Sequence, residues 1–126
     1  MKTVDIGRIG EDAAVKYLKK NGYKIIERNI HVSHNELDII ARNKEFLVFV
    51  EVKARSTDKS LSYQFGTPAS AVTYSKKQRT LEAARAFLSS GRFDSLQPRF
   101  DVIEVHLDKT DKKVLHINHI LNAFGA

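Results

Sequence analysis

The chain has 126 residues, enough for one domain with one core, and we expect a single domain over residues 1–126. Its 42% hydrophobic and 29% charged residues are typical of a soluble globular protein, and no run approaches the ~18 apolar residues of a membrane span. Because it has no cysteine, disulfides and thiolate metal sites are excluded. The N-terminus has no long apolar signal segment, so we expect a cytoplasmic protein that does not bind membranes.

The net charge of +6 is spread along the chain. Residues 1–60 carry 12 basic and 9 acidic side chains, and residues 61–126 carry 9 and 6. An even basic excess favours an acidic partner such as nucleic acid, since phosphate contacts dominate its affinity. A solvated basic surface without a partner is the alternative.

Hydrophobic periodicity predicts two helices and five strands. The first helix covers residues 6–21, before Gly22, and the second covers 75–90, before Gly91. Strands are predicted at 23–32, 36–41, 46–53, 99–105 and 114–120, and residues 56–70 are polar and loop-like. The order αβββαββ predicts an α/β protein.

The third strand ends in charges, in the sequence Phe49 to Arg55. Because successive side chains of a strand point to opposite faces, Glu51 and Lys53 share one face and the valines at 48, 50 and 52 share the other. Residues 42–45 form a short polar connection, so the second and third strands should form a hairpin. With an even-numbered loop Asp38 and Glu51 lie on one face, whereas with an odd-numbered loop they point apart.

Asp38 and Glu51 are candidate metal ligands, together with the backbone carbonyl of Val52. Mg²⁺ and Mn²⁺ prefer such hard oxygen donors and keep several waters. Lys53 would then orient a water or neutralise charge on a phosphate, and Glu11 or, less favourably, Glu36 would support a second cation. The alternative is a surface Glu–Lys pair worth about 0–1 kcal/mol, with Asp38 serving as a polar strand end.

The start of the second helix is basic. Lys76, Lys77 and Arg79 lie where the helix dipole disfavours cations, which indicates an external anion such as phosphate. Gln78 could hydrogen-bond the same anion, and Arg55 is a further candidate for nucleic-acid contact. A solvated helix end is the alternative.

The histidines do not form a zinc pattern. His116 and His119 are three apart on a strand and face opposite ways, and His31 and His34 have no third ligand nearby in sequence. Walker, Rossmann and nucleophile-elbow motifs are also absent from the sequence.

Short motifs occur in order along nearly the whole chain: Gly7-x-x-Gly10-Glu11-x-Ala13-Ala14, Leu18-x-x-x-Gly22-Tyr23-x-Ile25, Glu27-Arg28-Asn29, Glu36 to Ala41, Phe49 to Arg55, Phe65-Gly66-x-Pro68, Ala71-Val72, Lys77-Gln78-Arg79, Arg99 to Val102 and Asn122-Ala123-Phe124. Together they resemble the YraN family of small bacterial proteins. That family in turn resembles the PD-(D/E)XK nucleases, in particular archaeal Holliday-junction resolvases.

The resemblance implies a restriction-endonuclease-like fold, a central mixed sheet flanked by helices. It assigns the acidic helix residue to Glu11, the metal carboxylates to Asp38 and Glu51, and the catalytic lysine to Lys53. Two positions depart from the pattern: Leu37 stands where the superfamily often has proline, and Asn35 stands where YraN-like chains usually have glycine. Neither departure removes a proposed ligand.

These observations favour a Mg²⁺- or Mn²⁺-dependent endonuclease that hydrolyses DNA phosphodiester bonds, with branched DNA among its substrates. A homodimer would fit a branched substrate, because two symmetric strands need two cuts. A non-catalytic nucleic-acid-binding module of the same fold is the alternative. A third hypothesis is an adaptor whose basic surface meets an acidic protein.

Overall fold

The computed structural model describes residues 5–32, 35–57 and 73–123. Within these ranges two helices and five strands follow in this order: α1 (Ile6–Lys20), β1 (Lys24–Val32), β2 (Asn35–Arg42), β3 (Phe46–Thr57), α2 (Tyr74–Leu88), β4 (Gln97–Asp108) and β5 (Val114–Ile120). No helix in the described ranges is long and apolar enough to span a membrane.

The strands form one sheet in the order β1-β2-β3-β4-β5. Only β3 and β4 run parallel, and the other three pairs are antiparallel. In the described ranges each face of the sheet carries one helix: Ala14 and Leu18 of α1 enter the core on one face, and Leu81 and Ala84 of α2 enter the core on the other. The predicted mixed sheet flanked by helices is therefore confirmed.

β3 is longer than the sequence predicted. It was expected to end at Lys53, but it continues through Ser56 and Thr57, which had been assigned to a loop. The reason is its parallel partner: the pairing with β4 runs unbroken from Phe46 to Thr57, which lies beside Asp108. The rest of the predicted loop, residues 58–70, lies outside the described residues.

The start and end of α1 are set by local hydrogen bonds. The Asp5 carboxylate accepts from Arg8 N at 3.2 Å and caps the helix. The helix ends at Lys20, and the φ of 90° at Gly22 lets Tyr23 N donate back to Leu18 O at 3.0 Å. A Cβ atom on Gly10 would lie 2.6 Å from Ala54 Cβ, so glycine permits the close approach of α1 to β3. This approach holds the residue after Gly10, Glu11, near the charged end of β3.

A buried polar network fastens the C-terminal half of α1 to the sheet. Asp101 is fully buried and accepts from Arg99 Nε at 2.9 Å, Arg99 Nη2 at 2.8 Å and Asn122 N at 2.9 Å. His119 Nε2 lies 2.7 Å from the same carboxylate, and His119 Nδ1 lies 3.1 Å from the Tyr17 hydroxyl of α1. Burial raises the pKa of Asp101, but hydrogen bonds from His119 and Arg99 outweigh it and hold that pKa below its ordinary value.

Candidate functional site

Glu51 and Lys53 lie on the face of β3 that carries α2. The valines at 48, 50 and 52 pack with α1, while Phe49 packs with α2, so the expected alternation holds along this strand. Lys53 Nζ lies 3.8 Å from Glu51 Oε1, and Lys76 Nζ of α2 lies 3.5 Å from Oε2. Glu51 is thus a nearly buried carboxylate held between two ammonium groups.

The hairpin that joins β2 to β3 has the even-numbered loop that the metal hypothesis requires. Arg42 pairs with Leu47, which leaves four residues in the turn, and the Asn43 side chain accepts from the backbone N–H groups of residues 45 and 46. The described pairing ends at Ile39 and Val50. Extended by one residue, the same register would set Asp38 opposite Glu51; the described contact there is the hydrogen bond that Val52 N donates to Asp38 Oδ2 at 2.9 Å.

β1 changes face at Asn29. Arg28 and Ile30 are two residues apart, so an ordinary strand would place them on one face. Instead Arg28 contacts Glu11 of α1, whereas Ile30 packs into the core beneath α2. Between them, Asn29 has a φ of 51°, in the left-handed region that asparagine tolerates better than most residues.

β2 changes face at the position opposite Asn29. Leu37 packs beneath α2, but Ile39, two residues later, packs beneath α1. Asp38 is the residue between them, and the pairing register brings it beside Asn29. Asp38 therefore points to neither core: Glu51 and Lys76 act on it from the α2 side and Glu11 from the α1 side.

Replacing Asn29 tests whether its left-handed backbone matters. We expect Asn29→Ala to lower the free energy of unfolding by about 1–2 kcal/mol, because alanine is strained at this φ. Asn29→Gly should be close to neutral, since glycine adopts the conformation freely. Urea unfolding followed by circular dichroism measures both, and equal losses in the two variants would contradict this explanation.

Asp38 is electrostatically strained. Burial, together with the charges of Glu51 and Glu11, raises its pKa to about 6, although the hydrogen bond from Val52 N at 2.9 Å and the charge of Lys76 oppose the shift. A carboxylate in this state holds negative charge that a cation would stabilise. The strain is therefore an observation in favour of a cation site.

A cleft of about 700 Å³ opens beside Asp38. It brings together the backbone of Val52, the first half of α1 and two residues of β1: Asp5, Gly7, Arg8, Glu11, Asp12, Arg28, Asn29, Asp38 and Val52. Glu11 therefore shares this cleft with Asp38, whereas Glu51 and Lys53 are not among its described lining residues. Arg28, to which no role had been given, fixes the acidic side with Nε 3.1 Å from Glu11 and Nη2 2.6 Å from Asp12.

The donors at this position suit a hard divalent cation. Two carboxylates and a backbone carbonyl are oxygen ligands, and Mg²⁺ commonly binds through one or two carboxylates while keeping several waters. Among the described residues, no group of three or more acidic, histidine or cysteine side chains is placed to hold an ion. The ligand set of Asp38, Glu51 and the Val52 carbonyl therefore stays a prediction, in which a partly hydrated Mg²⁺ or Mn²⁺ would use few protein ligands.

The basic start of α2 is divided between two environments. Lys76 faces an internal anion, Glu51, whereas Gln78 and Arg79 are exposed. Arg79 also lines a small pocket together with Glu36, and the Glu36 carboxylate lies 3.6 Å from His31 Nδ1. Glu36 is thus placed with Arg79 and His31 rather than with the Asp38 cleft.

Arg55 has a buried partner that the sequence analysis did not identify. Its Nε lies 3.5 Å from Oε2 of Glu104 on β4, and Asn118 Nδ2 donates to Oε1 of Glu104 at 3.0 Å. The sequence does show Glu104 as the one acidic residue in the apolar run Val102 to Val105. It does not show that Arg55 lies beside it, because that contact depends on the parallel pairing of β3 with β4.

Comparison with known proteins places this chain in a family. Residues 10–105 match the family model described as "Uncharacterised protein family UPF0102". UPF0102 proteins from Caldanaerobacter subterraneus, Acetivibrio thermocellus and Alkaliphilus oremlandii are 44%, 45% and 46% identical; each alignment covers 94% of this chain and 93%, 89% and 97% of the respective relatives.

Among solved structures, an XisH family protein from Nostoc punctiforme is similar at a TM-score of 0.37 and 15% identity, over 86% of this chain and 98% of that one. The family match and the relatives carry the assignment: this chain belongs to the UPF0102 family, which is the YraN family.

Proposed function

We propose that this protein is a Mg²⁺- or Mn²⁺-dependent endonuclease with a restriction-endonuclease-like fold, which hydrolyses DNA in the cytoplasm. The observation that carries the proposal is Asp38: a partly buried carboxylate with a pKa raised to about 6, in a cleft shared with Glu11 and hydrogen-bonded by Val52 N, the residue after Glu51. Perturbed carboxylates in a cleft are typical of functional sites. Branched DNA, bound by a homodimer, is the substrate form we favour.

Each residue has a defined task in this proposal. Asp38, Glu51 and the carbonyl of Val52 would hold the cation, which when bound polarises the phosphate and activates water. Lys53, on the same face as Glu51, orients the attacking water and offsets charge that develops on the phosphate. Glu11 would hold a second cation or its waters, and Arg28 Nε, 3.1 Å from Glu11 Oε1, keeps its carboxylate in place.

The nucleic-acid backbone would lie along the basic residues that border Glu51. They are Arg55 on β3 and Lys76, Lys77 and Arg79 of α2, and the neutral amide of Gln78 would add a hydrogen bond to the same backbone. Contacts of this type hold the phosphate backbone without reading bases.

One observation favours a second candidate, a non-catalytic nucleic-acid-binding module. Glu51 already has two cationic partners, Lys53 and Lys76, so its charge is compensated without a metal. A protein of this kind would bind DNA in the presence of a chelator, with a steep salt dependence.

Cleavage assays separate the two candidates. Labelled duplex, single-stranded and four-way-junction DNA would be incubated with Mg²⁺ or Mn²⁺ and either wild type, Glu51→Gln or Lys53→Ala. We expect each substitution to slow cleavage at least ~100-fold, the range lost when a group that handles protons or charge is removed.

Glu45→Gln, an exposed carboxylate in the hairpin turn, is the matched control and should cut like wild type. Undiminished metal-dependent cleavage by Glu51→Gln would overturn the proposal. Salt-sensitive binding without any cleavage by wild type would establish the second candidate instead.

A further inference from the structure

Glu104 is a buried carboxylate that the proposed chemistry does not use. It is 0% exposed and lies in the middle of β4, with one oxygen hydrogen-bonded by Asn118. Its other oxygen, Oε2, is buried, accepts no hydrogen bond from the described residues and has Arg55 Nε at 3.5 Å. Burying an ionised carboxylate is costly unless it is paired, so this position needs an explanation.

Arg55 is the exposed end of this arrangement. Its side chain is 42% exposed, and in the described part of the chain Glu104 is its one ion-pair partner. Because Glu104 is buried and Arg55 is exposed, the ion pair ties an accessible guanidinium to a fixed point in the sheet.

The ion pair is made through Nε, and in the described part of the chain the terminal nitrogens of this exposed guanidinium make no ion pair. An arginine can hold a phosphate with two parallel N–H donors, and a guanidinium fixed in advance loses less entropy when it does so. Arg55 lies two residues beyond Lys53 on the same face of β3, a separation of about 6.6 Å along the strand. The N–H donors of Arg55 are thus placed to reach the DNA phosphate next to the one that Lys53 would contact.

We infer that Glu104 is a positioning residue, and that it holds Arg55 to bind a DNA phosphate adjacent to the one that is attacked. This inference rests on the proposed function for the identity of the ligand. It adds a residue that makes no contact with the substrate and acts only through Arg55. Asn118 completes the arrangement by fixing the carboxylate from β5.

The charge of Glu104 makes the test sharp. If Glu104 acted only through its charge, Glu104→Gln would raise the positive charge of the surface and tighten DNA binding. The inference gives the opposite sign: without the carboxylate, the guanidinium loses its orientation and binding weakens. We expect Glu104→Gln to raise Kd several-fold.

The experiment is a fluorescence-anisotropy titration of a labelled DNA duplex in Ca²⁺, repeated over a series of NaCl concentrations. Arg55→Ala should weaken binding about 10-fold and reduce the slope of log K against log salt by about 1. Arg55→Lys should weaken binding while keeping the slope of log K against log salt, because lysine keeps the charge but lacks the paired N–H donors of the guanidinium. The combination of Glu104→Gln with Arg55→Ala should bind like Arg55→Ala alone.

Arg85→Ala on the exposed side of α2 is the control for removing one positive charge. Wild-type or tighter binding by a folded Glu104→Gln, or additive effects in the double variant, would overturn the inference. If Glu104→Gln does not fold, Arg55→Lys decides, since wild-type affinity in that variant rules out an oriented arginine.

The outcomes also separate this inference from the proposed function. Cleavage by wild type together with an unaltered Glu104→Gln leaves the nuclease proposal intact and overturns only the role of Glu104. If wild type binds DNA but never cleaves it, and Glu104→Gln weakens that binding, the nuclease proposal is overturned and the positioning role of Glu104 stands. Absence of DNA binding by wild type overturns both.

Discussion

Replacing Asp101 with asparagine is expected to lower the free energy of unfolding by about 3–5 kcal/mol. The carboxylate is fully buried and is the shared acceptor for Arg99, His119 and the backbone of Asn122. Its removal leaves the buried guanidinium of Arg99 without a counter-charge, which costs far more than the loss of a surface ion pair. Urea unfolding of wild type and variant measures the difference.

A control variant and a pH dependence test the Asp101 prediction. Asp94→Asn changes an exposed carboxylate and should fall within about 0.5 kcal/mol of wild type. Because the pKa of Asp101 is depressed from 3.8, its contribution to stability is present above that value and is lost as the pH falls through the native pKa. Lowering the pH should therefore reduce the free energy of unfolding less in Asp101→Asn than in wild type. If Asp101→Asn is destabilised no more than Asp94→Asn, the role of the network is contradicted.

The second large effect has the opposite sign. Asp38→Asn is expected to raise stability by on the order of 2 kcal/mol at about pH 8 without metal. A carboxyl group with a pKa raised from 3.8 to about 6 contributes most below pH 3.8, and that contribution is lost as the pH rises through about 6. Asparagine stays neutral throughout, so the gain should vanish near pH 4, where Asp38 is protonated too.

Metal should reverse the order of the two proteins. A ligand that binds only the folded state stabilises it by about 2.7 kcal/mol at 100 times its Kd, so saturating Mg²⁺ or Mn²⁺ should stabilise wild type and leave Asp38→Asn nearly unchanged. Thermal unfolding with and without metal measures both effects. Asp12→Asn, on the exposed rim of the same cleft, should keep the metal-induced shift. An equal shift in Asp38→Asn would exclude Asp38 as a ligand.

Much of the fold follows from local patterns in the sequence. β5 has the predicted bounds, and both helices end within two residues of their predicted ends, because apolar periodicity and the glycine stops act over a few residues. The hairpin predicted around residues 42–45 is also present, although Arg42 belongs to β2 and the sequence left the even or odd length of the turn open. The extent of β3 was not, since Ser56 and Thr57 are polar and are held in the strand only by the distant β4.

The candidate site could be predicted only in part. The shared face of Glu51 and Lys53 follows from strand alternation, but the orientation of Asp38 does not. Its orientation depends on the left-handed conformation of Asn29 on the neighbouring strand, which breaks the period of two. The contact between Arg55 and Glu104 likewise joins residues 49 positions apart in the sequence, beyond any local pattern.

Tyr23, Arg99 and Asp101 belong to the motifs that resemble the YraN family. A motif match alone does not distinguish a structural residue from a catalytic one. In the structure, Arg99 joins the Tyr23 hydroxyl to the Asp101 carboxylate beneath the C-terminal half of α1, apart from the Asp38 cleft. Their role in this structure is to hold the fold.

The two ends of α1 thus carry separate constraints on evolution. Tyr17 belongs to the network that holds the helix, and Glu11, about 9 Å earlier along the axis, belongs to the cleft. A descendant that lost Glu11 or Asp38 would still fold, and by the reasoning above would be more stable for losing Asp38. Selection for folding alone would then preserve most of the family's sequence signature, so inactive members could persist beside active ones, and activity has to be assayed member by member.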